Sequence, residues 1–360
     1  MLVPILTMAQ SFTSGDLQYW VTSSYNLTVE VAGLTNGMPE HLEIPNTVTY
    51  SNLVYKVTGI RENALPNSQN LSKYDSEELN KLKTLCVGDN VTELPQYFLA
   101  GNTSVRAIQL GSGLKKIGAS AFNSCTSLES IVIPDGVENL DQAVLWNCTN
   151  LKSVRLSKSL TSVPQSLLGK CPSLEVIDFG SSKYEELNSM LFSGAYPNLV
   201  NITMRNAPPP FTWSTTFPAP VVKNTYLHVP VGCAQAYKNM ASYQNFKAIL
   251  DDVTDAQCAD PQIHVSKGRI GFSCATPGVT FEYTVTTMGA KEEVLENEYI
   301  ISEPYLFVIV QATKSGCEPS NTLTKKVPYS ALFSSPDLNG DGSVNTTDVV
   351  EIYNYIINGN

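Results

Sequence analysis

The chain is poor in charge, in histidine and in long apolar runs, and each shortage removes a class of function. Of its 360 residues 16% are Asp, Glu, Lys or Arg, and the acids outnumber the bases to leave a net charge of −10. No Lys/Arg cluster occurs, so nucleic acid and anionic membrane surfaces, which both demand a basic footprint, are excluded as partners. No apolar run approaches the roughly 18 residues of a membrane-spanning helix. The three histidines, His41, His228 and His264, lie in separate regions and lack metal-ligand spacing. No G-x-S-x-G elbow is present, a Cys233/His228 pair reads as structural, and the acid pairs Asp251-Asp252 and Glu292-Glu293 read as solvated turns. No residue is assigned a catalytic role. The apolar fraction of 42% is ordinary for a folded protein, and the length allows two or three domains.

The N-terminal stretch MLVPILTMAQSF is apolar but has no basic leader. Thr7 and Ala9 are small residues at the −3 and −1 positions of a signal-peptidase site, so residues 1–10 read as the tail of a secretory signal. A short buried strand is the alternative, and with no cysteine there a lipoprotein anchor is unsupported.

A 23-residue beat runs through the middle of the chain. Segments starting at Leu82, Val105, Leu128, Leu151 and Leu174 share an opening of the form L-x-x-I-x-I, carried by Leu85/Val87, Ile108/Leu110, Ile131/Ile133, Val154/Leu156 and Ile177/Phe179. Leu94, Ile117, Leu140 and Val163 recur later in the unit, as do Cys125, Cys148 and Cys171. A fixed period in this range marks a leucine-rich solenoid, whose coils each bury an apolar face only against their neighbours. The three periodic cysteines then stack as small buried residues rather than pair. Cys258, Cys274 and Cys317 fall elsewhere, and their spacing leaves a bridge among them open.

Around the beat the pattern changes. Leu17–Val21 and Leu27–Val31 read as a hairpin, and Leu42–Pro45 with Tyr55–Ile60 as a degenerate repeat. Beyond Pro208-Pro209-Pro210, Tyr226–Pro230 and Phe246–Ile249 read as a closing cap. Gly268–Phe272, Phe281–Val285 and Leu306–Val310 have the spacing of a small β-sandwich. The expected architecture is mainly β: a leucine-rich-repeat solenoid with caps at both ends, then a small β-sandwich and one EF-hand-like loop-helix. Its divisions are residues 1–10 (signal remnant), 11–81 (N-terminal cap and degenerate repeats), 82–204 (repeats), 205–254 (C-terminal cap), 255–330 (sandwich) and 331–360 (calcium-binding tail).

In the tail, Asp337, Asn339, Asp341, Asn345 and Asp348 alternate with Gly342 at the sixth loop position. Calcium takes six to eight oxygens, so carboxylates and amides at alternate positions, with the Ser343 carbonyl between them, form a Ca2+ site. Val349, Val350, Ile352, Tyr353, Ile356 and Ile357 follow at the spacing of an amphipathic helix.

This tail resembles one half of a type I dockerin, with Asp348 at the twelfth position. That family carries two such segments in tandem and docks onto a cohesin; the resemblance implies calcium binding and a cohesin-like or intramolecular partner for the single copy. The repeats resemble the BspA-like, Treponema-type leucine-rich repeat, through Ile131, Ile133, Pro134, Val137, Leu140 and Cys148 and through Ile117, Ala121, Phe122 and Cys125. Departures are Leu145 and Leu168 in place of Phe, and a coil from Leu174 that is two residues longer. This resemblance implies a secreted or cell-surface bacterial protein, some relatives being adhesins for host matrix proteins.

The expected ligand surface is the concave strand face. Its outward ladders are Cys86, Gln109, Val132, Arg155, Asp178 and Thr203, and Thr84, Ala107, Ser130, Ser153, Val176 and Asn201. Arg155 and Asp178, on adjacent coils, read as a surface ion pair. The first expected partner is an extracellular protein, in adhesion. The alternative is a glycan, as a polysaccharide-degradation component assembled through the tail, with Trp213 beside Phe211 and Phe217 as the aromatic cluster able to stack on sugar.

Overall fold

The structure, a computed structural model, describes residues 11–331 except 75, 189–190, 213–215, 218, 255–257, 267–268, 289–291, 296–297, 302–304, 315–316, 318–319, 321–322 and 329–330. The segments expected to be a signal remnant, a calcium loop and its following helix, and Trp213, therefore lie outside the described residues. The chain divides after Val253 into two compact units.

The first unit is a β-solenoid built on the 23-residue period. The L-x-x-I-x-I segments form short strands that stack in parallel, one per coil: His41–Ile44, Thr84–Val87 and Ala107–Gln109, then Ser130–Val132, Ser153–Arg155, Val176–Asp178, Asn201–Thr203, Tyr226–Pro230 and Ala248–Val253. Register is kept by the apolar residue at the centre of each strand, with Ile131 opposite Val154, then Ile177, Ile202, Leu227 and Ile249. All of these but the last are buried, as are the residues that open the coils, Leu82, Val105, Leu128, Leu151 and Leu174. The later apolar positions form a second, narrower ladder through Glu93–Leu94, Lys116–Ile117 and Asn139–Leu140, continued by Val163 with Leu187. A coil has core on one side of each strand and a neighbouring coil above and below, so no single coil satisfies its own backbone.

Between the two ladders the chain turns through the left-handed region twice per coil. Tyr97, Ser120, Ala143 and Ser166 have φ of 55 to 58°, and Gly101, Ser124, Asn147 and Lys170 have φ of 57 to 82°. Non-glycine residues there cost about 1–2 kcal/mol each. The cost is offset laterally, because the N–H groups of Tyr97, Ser120, Ala143, Gly101, Ser124, Asn147 and Lys170 donate to a carbonyl of the following coil, as in Ser124 to Trp146 at 2.8 Å and Asn147 to Gly169 at 2.7 Å. Glycine is required at Gly180, where φ is +67° and a Cβ would lie 2.0 Å from the Leu156 carbonyl oxygen.

The cysteine ladder is more than small-residue packing. Each thiol donates to a backbone carbonyl of the coil before it: Cys125 to Leu99 at 3.4 Å, Cys148 to Phe122 at 3.2 Å and Cys171 to Leu145 at 3.2 Å. Other residue types take the same role on either side. Asn102 donates to the Leu79 carbonyl at 2.6 Å, the Tyr196 hydroxyl to that of Leu168, and Thr225 to that of Leu199 at 2.8 Å.

At the start of the solenoid stands a five-stranded sheet in the order Ser11–Ser14, Leu17–Ser23, Thr28–Leu34, Leu53–Ile60, Thr47–Tyr50. Phe12 stacks on Tyr50 with ring centroids 4.2 Å apart and covers buried Tyr19 and Tyr55. At its end, Phe217, Tyr237, Tyr243 and Phe246 pack ring on ring at 4.9–6.4 Å, beneath the short helix Ala234–Lys238. Asp251 and Asp252, expected in a solvated turn, sit in the last strand of the stack, Ala248–Val253.

The second unit is antiparallel. Thr280–Met288, Tyr305–Thr313 and Leu323–Pro328 form one sheet, and Gln262–Ser266 with Arg269–Ser273 a hairpin. Ile263 of the hairpin joins Leu306, Val308, Val310 and Val327 of the sheet in a separate small core. Glu292 and Glu293 lie in the strand Glu292–Leu295 rather than in a turn.

Candidate ligand-binding face

The outer side of the parallel strand stack is the face that sequence reasoning singled out. Because alternate strand residues point to opposite sides, the residues flanking each buried centre line up from coil to coil. One row runs through Thr84, Ala107, Ser130, Ser153, Val176 and Asn201. The other runs through Cys86, Gln109, Val132, Arg155, Asp178 and Thr203 and is prolonged by His228.

The two rows are not uniformly exposed. Gln109, Val132 and Thr203 are half-buried, as are Cys86, Ser130, Ser153, Val176 and Asn201. Thr84 and Ala107 are buried, Thr84 meeting His41 Nδ1 through its hydroxyl at 2.7 Å. Arg155 and Asp178 are only 9% and 8% exposed. They are register partners on adjacent strands, yet each takes another counter-ion. The Arg205 guanidinium forks onto both oxygens of Asp178, with Nε at 3.2 Å and Nη2 at 2.7 Å, and the Gly180 N–H adds a bond at 2.7 Å. Arg155 pairs through Nη2 with Asp135 at 2.9 Å, and Lys158 reaches the other oxygen of that carboxylate at 3.3 Å. The expected Arg155–Asp178 surface pair is thus replaced by two pairs, one of them buried. The Arg205 fork puts two charge-assisted bonds on the one carboxylate, which makes it the stronger partner for Asp178.

His228 continues the polar network. Its Nδ1 lies 2.9 Å from Asp252 and its Nε2 3.1 Å from Asn201 Oδ1. Asp251, its neighbour, accepts the N–H groups of Cys233 at 3.0 Å and Ala234 at 3.1 Å at the start of the short helix. Backbone donors, that of Gly232 foremost, hold its carboxyl below the usual range. The face therefore has two halves. From Thr84 to Val132 it is small-residued and uncharged; from Arg155 to His228 its charges are matched within the protein. Sequence reasoning missed Asp135 and Arg205, which lie three and two residues beyond the strands Ser130–Val132 and Asn201–Thr203, and it placed Asp252 in a turn instead of the last strand of the stack.

An edge row flanks the face. Glu40, Lys83, Arg106, Glu129, Lys152 and Glu175 occupy one position on successive coils, and Lys152 meets Glu129 at 2.9 Å. Behind, an open cleft of about 430 Å³ beside the narrow ladder is lined by Glu30, Glu62, Glu93, Gln96, Lys116 and Asp141 among others. Lys116 there lies 3.1 Å from Glu93 and 3.7 Å from Asp141, and these carboxylates push its pKa up.

Of the aromatic cluster, Phe217 is core at 1% exposure and Phe211 is 53% exposed, while Trp213 is outside the described residues. So are Asp337, Asn339, Asp341, Ser343, Asn345 and Asp348. Among the described residues no three His, Cys, Asp or Glu side chains are grouped to hold a metal, and no helix is long and apolar enough to cross a membrane.

Residues 70–199 match the BspA type leucine rich repeat region in six copies. Among solved structures the chain is similar to a leucine rich cell surface protein from Faecalibacterium prausnitzii, at 19% identity over 74% of this chain and 61% of that one, with a TM-score of 0.40. It is also similar to a leucine rich repeat protein of T. pallidum, at 19% identity over 49% of this chain and 80% of that one (TM-score 0.38). A leucine-rich repeat protein from Bacteroides ovatus matches at 17% identity over 68% and 81% of the respective chains (TM-score 0.38). No curated protein matches the chain.

Proposed function

We propose that this chain is a non-enzymatic bacterial protein of the cell surface or exterior, whose solenoid holds an extracellular protein ligand in the manner of an adhesin. The observation that carries this reading is the strand-stack face itself. It extends over successive coils in two hydrogen-bonded strand stacks that adjoin at Ala107–Gln109 and Ser130–Val132, and its half-buried residues Cys86, Gln109, Ser130 and Val132 present an uncharged patch that costs little to desolvate. The apolar N-terminal stretch supports export, and the absence of a basic footprint from the sequence directs the search to proteins. His228 has Asp252 on one ring nitrogen and Asn201 on the other, an arrangement that fixes the ring in place.

The test is binding of the full chain to a panel of immobilised extracellular-matrix proteins, with Val132→Arg as the comparison. Val132 is half-buried at the end of the patch that borders Arg155, so an added guanidinium puts charge on the uncharged surface and obstructs close approach without entering the core. The expected result is binding to a matrix protein weakened by tenfold or more in the variant. Failure to bind any of the panel, or binding indifferent to the substitution, overturns the reading. Binding to a polysaccharide array that is lost with Trp213→Ala puts a glycan in the protein's place.

We also propose that the second unit is a small β-sandwich, and that Asp337, Asn339, Asp341, Asn345 and Asp348 with the Ser343 carbonyl bind one Ca2+. The alternating oxygen donors and Gly342 support the calcium reading. Titration calorimetry with calcium on the full chain shows one site that Asp341→Ala abolishes; absence of binding heat in the unmutated chain ends it.

A further inference from the structure

Three cysteines outside the repeats meet in one corner of the second unit. The hairpin Gln262–Ser266/Arg269–Ser273 sets Gln262 opposite Ser273, which returns Cys274 to the segment preceding the hairpin. There its thiol donates to the Ala259 carbonyl at 3.0 Å and accepts the Thr276 N–H at 3.4 Å, while Ala259 N–H donates to the Thr276 hydroxyl at 2.8 Å. Cys258, the residue before Ala259, is drawn into the same corner and is 2% exposed. From the other side, Lys314 Nζ donates to the Pro277 carbonyl at 3.0 Å, and the Cys317 N–H donates to the Lys314 carbonyl at 3.0 Å. This connection stands at the same corner, close enough for the Cys317 thiol to act electrostatically on that of Cys258. Burial pushes the Cys258 thiol up, and Cys317 and then Cys274 act on it in the same direction.

All eight cysteines are thiols in this structure, and this trio is not grouped as a metal site. The Cys274 sulfur is already engaged on both sides by backbone. We propose that Cys258 and Cys317 form a disulfide under oxidising conditions, tying the entrance of the hairpin to the turn between the strands Tyr305–Thr313 and Leu323–Pro328, and leaving Cys274 as a thiol. The oxidant is an external disulfide. The half-buried Cys317 thiolate attacks one of its sulfurs and releases one small thiolate. The Cys258 thiolate then attacks Cys317 sulfur in the mixed disulfide and releases the second. The two cysteine protons leave with the two small thiols, and the two electrons reduce the external disulfide. The extracellular reading above supplies the compartment, but the chemistry does not depend on it.

The full chain is incubated with oxidised glutathione, alkylated in denaturant, digested without reductant and mapped by mass spectrometry. The expected result is a single Cys258–Cys317 cross-link with Cys274 alkylated. The bridge raises the thermal midpoint on the order of 10 °C over the reduced protein. Cys274→Ser retains the cross-link and Cys317→Ser loses it. Alkylation of all three cysteines after oxidation, or a Cys258–Cys274 cross-link in the unmutated chain, overturns the proposal. These outcomes need no secretion and no ligand, so they are distinguishable from failure of the adhesion reading.

Discussion

Cys125, Cys148 and Cys171 convert burial into a pH dependence. Desolvation pushes the Cys171 thiol from 9.0 to about 12, and raises Cys125 and Cys148 further. In the unfolded chain these thiols ionise near pH 9; in the native solenoid they keep their protons. Below pH 9 both states hold the same protons and stability is complete. As pH climbs from 9 towards 12 only the unfolded state loses protons, so stability falls by about 1.4 kcal/mol per unit for each thiol. Urea unfolding at pH 7 and pH 10 is expected to differ by about 1.4 kcal/mol per buried thiol, and Cys171→Ala to lose its share of that difference. Equal stabilities at the two pH values would show that the thiols are not sealed. At this scale the sequence was legible for the apolar centres and for the cysteine positions, because the period dictates both. It was mute on Arg155 and Asp178, whose counter-ions Asp135 and Arg205 lie in connecting segments where no periodicity constrains the side chain.

The coil is the element in which the regularity resides. Its legible part is the apolar spacing, since every coil must meet the same two neighbours. Less legible is the left-handed pair of turns, occupied by Tyr97, Ser120, Ala143 and Ser166 and by Gly101, Ser124, Asn147 and Lys170, where lateral N–H bonds rather than glycine content fix the geometry. The coil from Leu174 shows both sides of this. Its two extra residues were visible in the spacing, but not that Tyr196 within it would reach the Leu168 carbonyl in place of a cysteine. The stacking predicts a sharp dependence on phase. Excising residues 128–150 removes one full period and sets Leu151 where Leu128 stood, so the shortened protein is expected to keep its circular dichroism and a cooperative, lower thermal midpoint. Excising 128–149 instead leaves one residue too many in the junction coil alone, which must bulge as the longer coil from Leu174 does, so its thermal midpoint is expected below that of the in-phase deletion; a midpoint equal to or above it would refute the stacking argument.

For the whole molecule the division after Val253 matters most. The solenoid core runs from Phe12 to Phe246 as one cluster, while Ile263, Leu306, Val308, Val310 and Val327 form their own. A fragment of residues 11–253 is therefore expected to fold alone and unfold in one transition, within about 5 °C of the solenoid transition in the full chain; a molten fragment would show that the second unit is needed for the first. The family resemblance read in the repeats extends over residues 70–199, whereas the five-stranded sheet before them was only partly foreseeable, because Thr47–Tyr50 and Leu53–Ile60 form a hairpin inserted into a coil whose spacing it obscures. One consequence of the side-chain ladder concerns how such a molecule is made. Asn102, Cys125, Cys148, Cys171, Tyr196 and Thr225 all donate backward, to a carbonyl of the coil that precedes them. As the chain leaves the ribosome, each new coil brings its ladder side chain to an acceptor that has already emerged, whereas the N–H groups of its left-handed turns wait for the coil still to come, so every coil is pinned backward as it is made and sealed forward only by its successor.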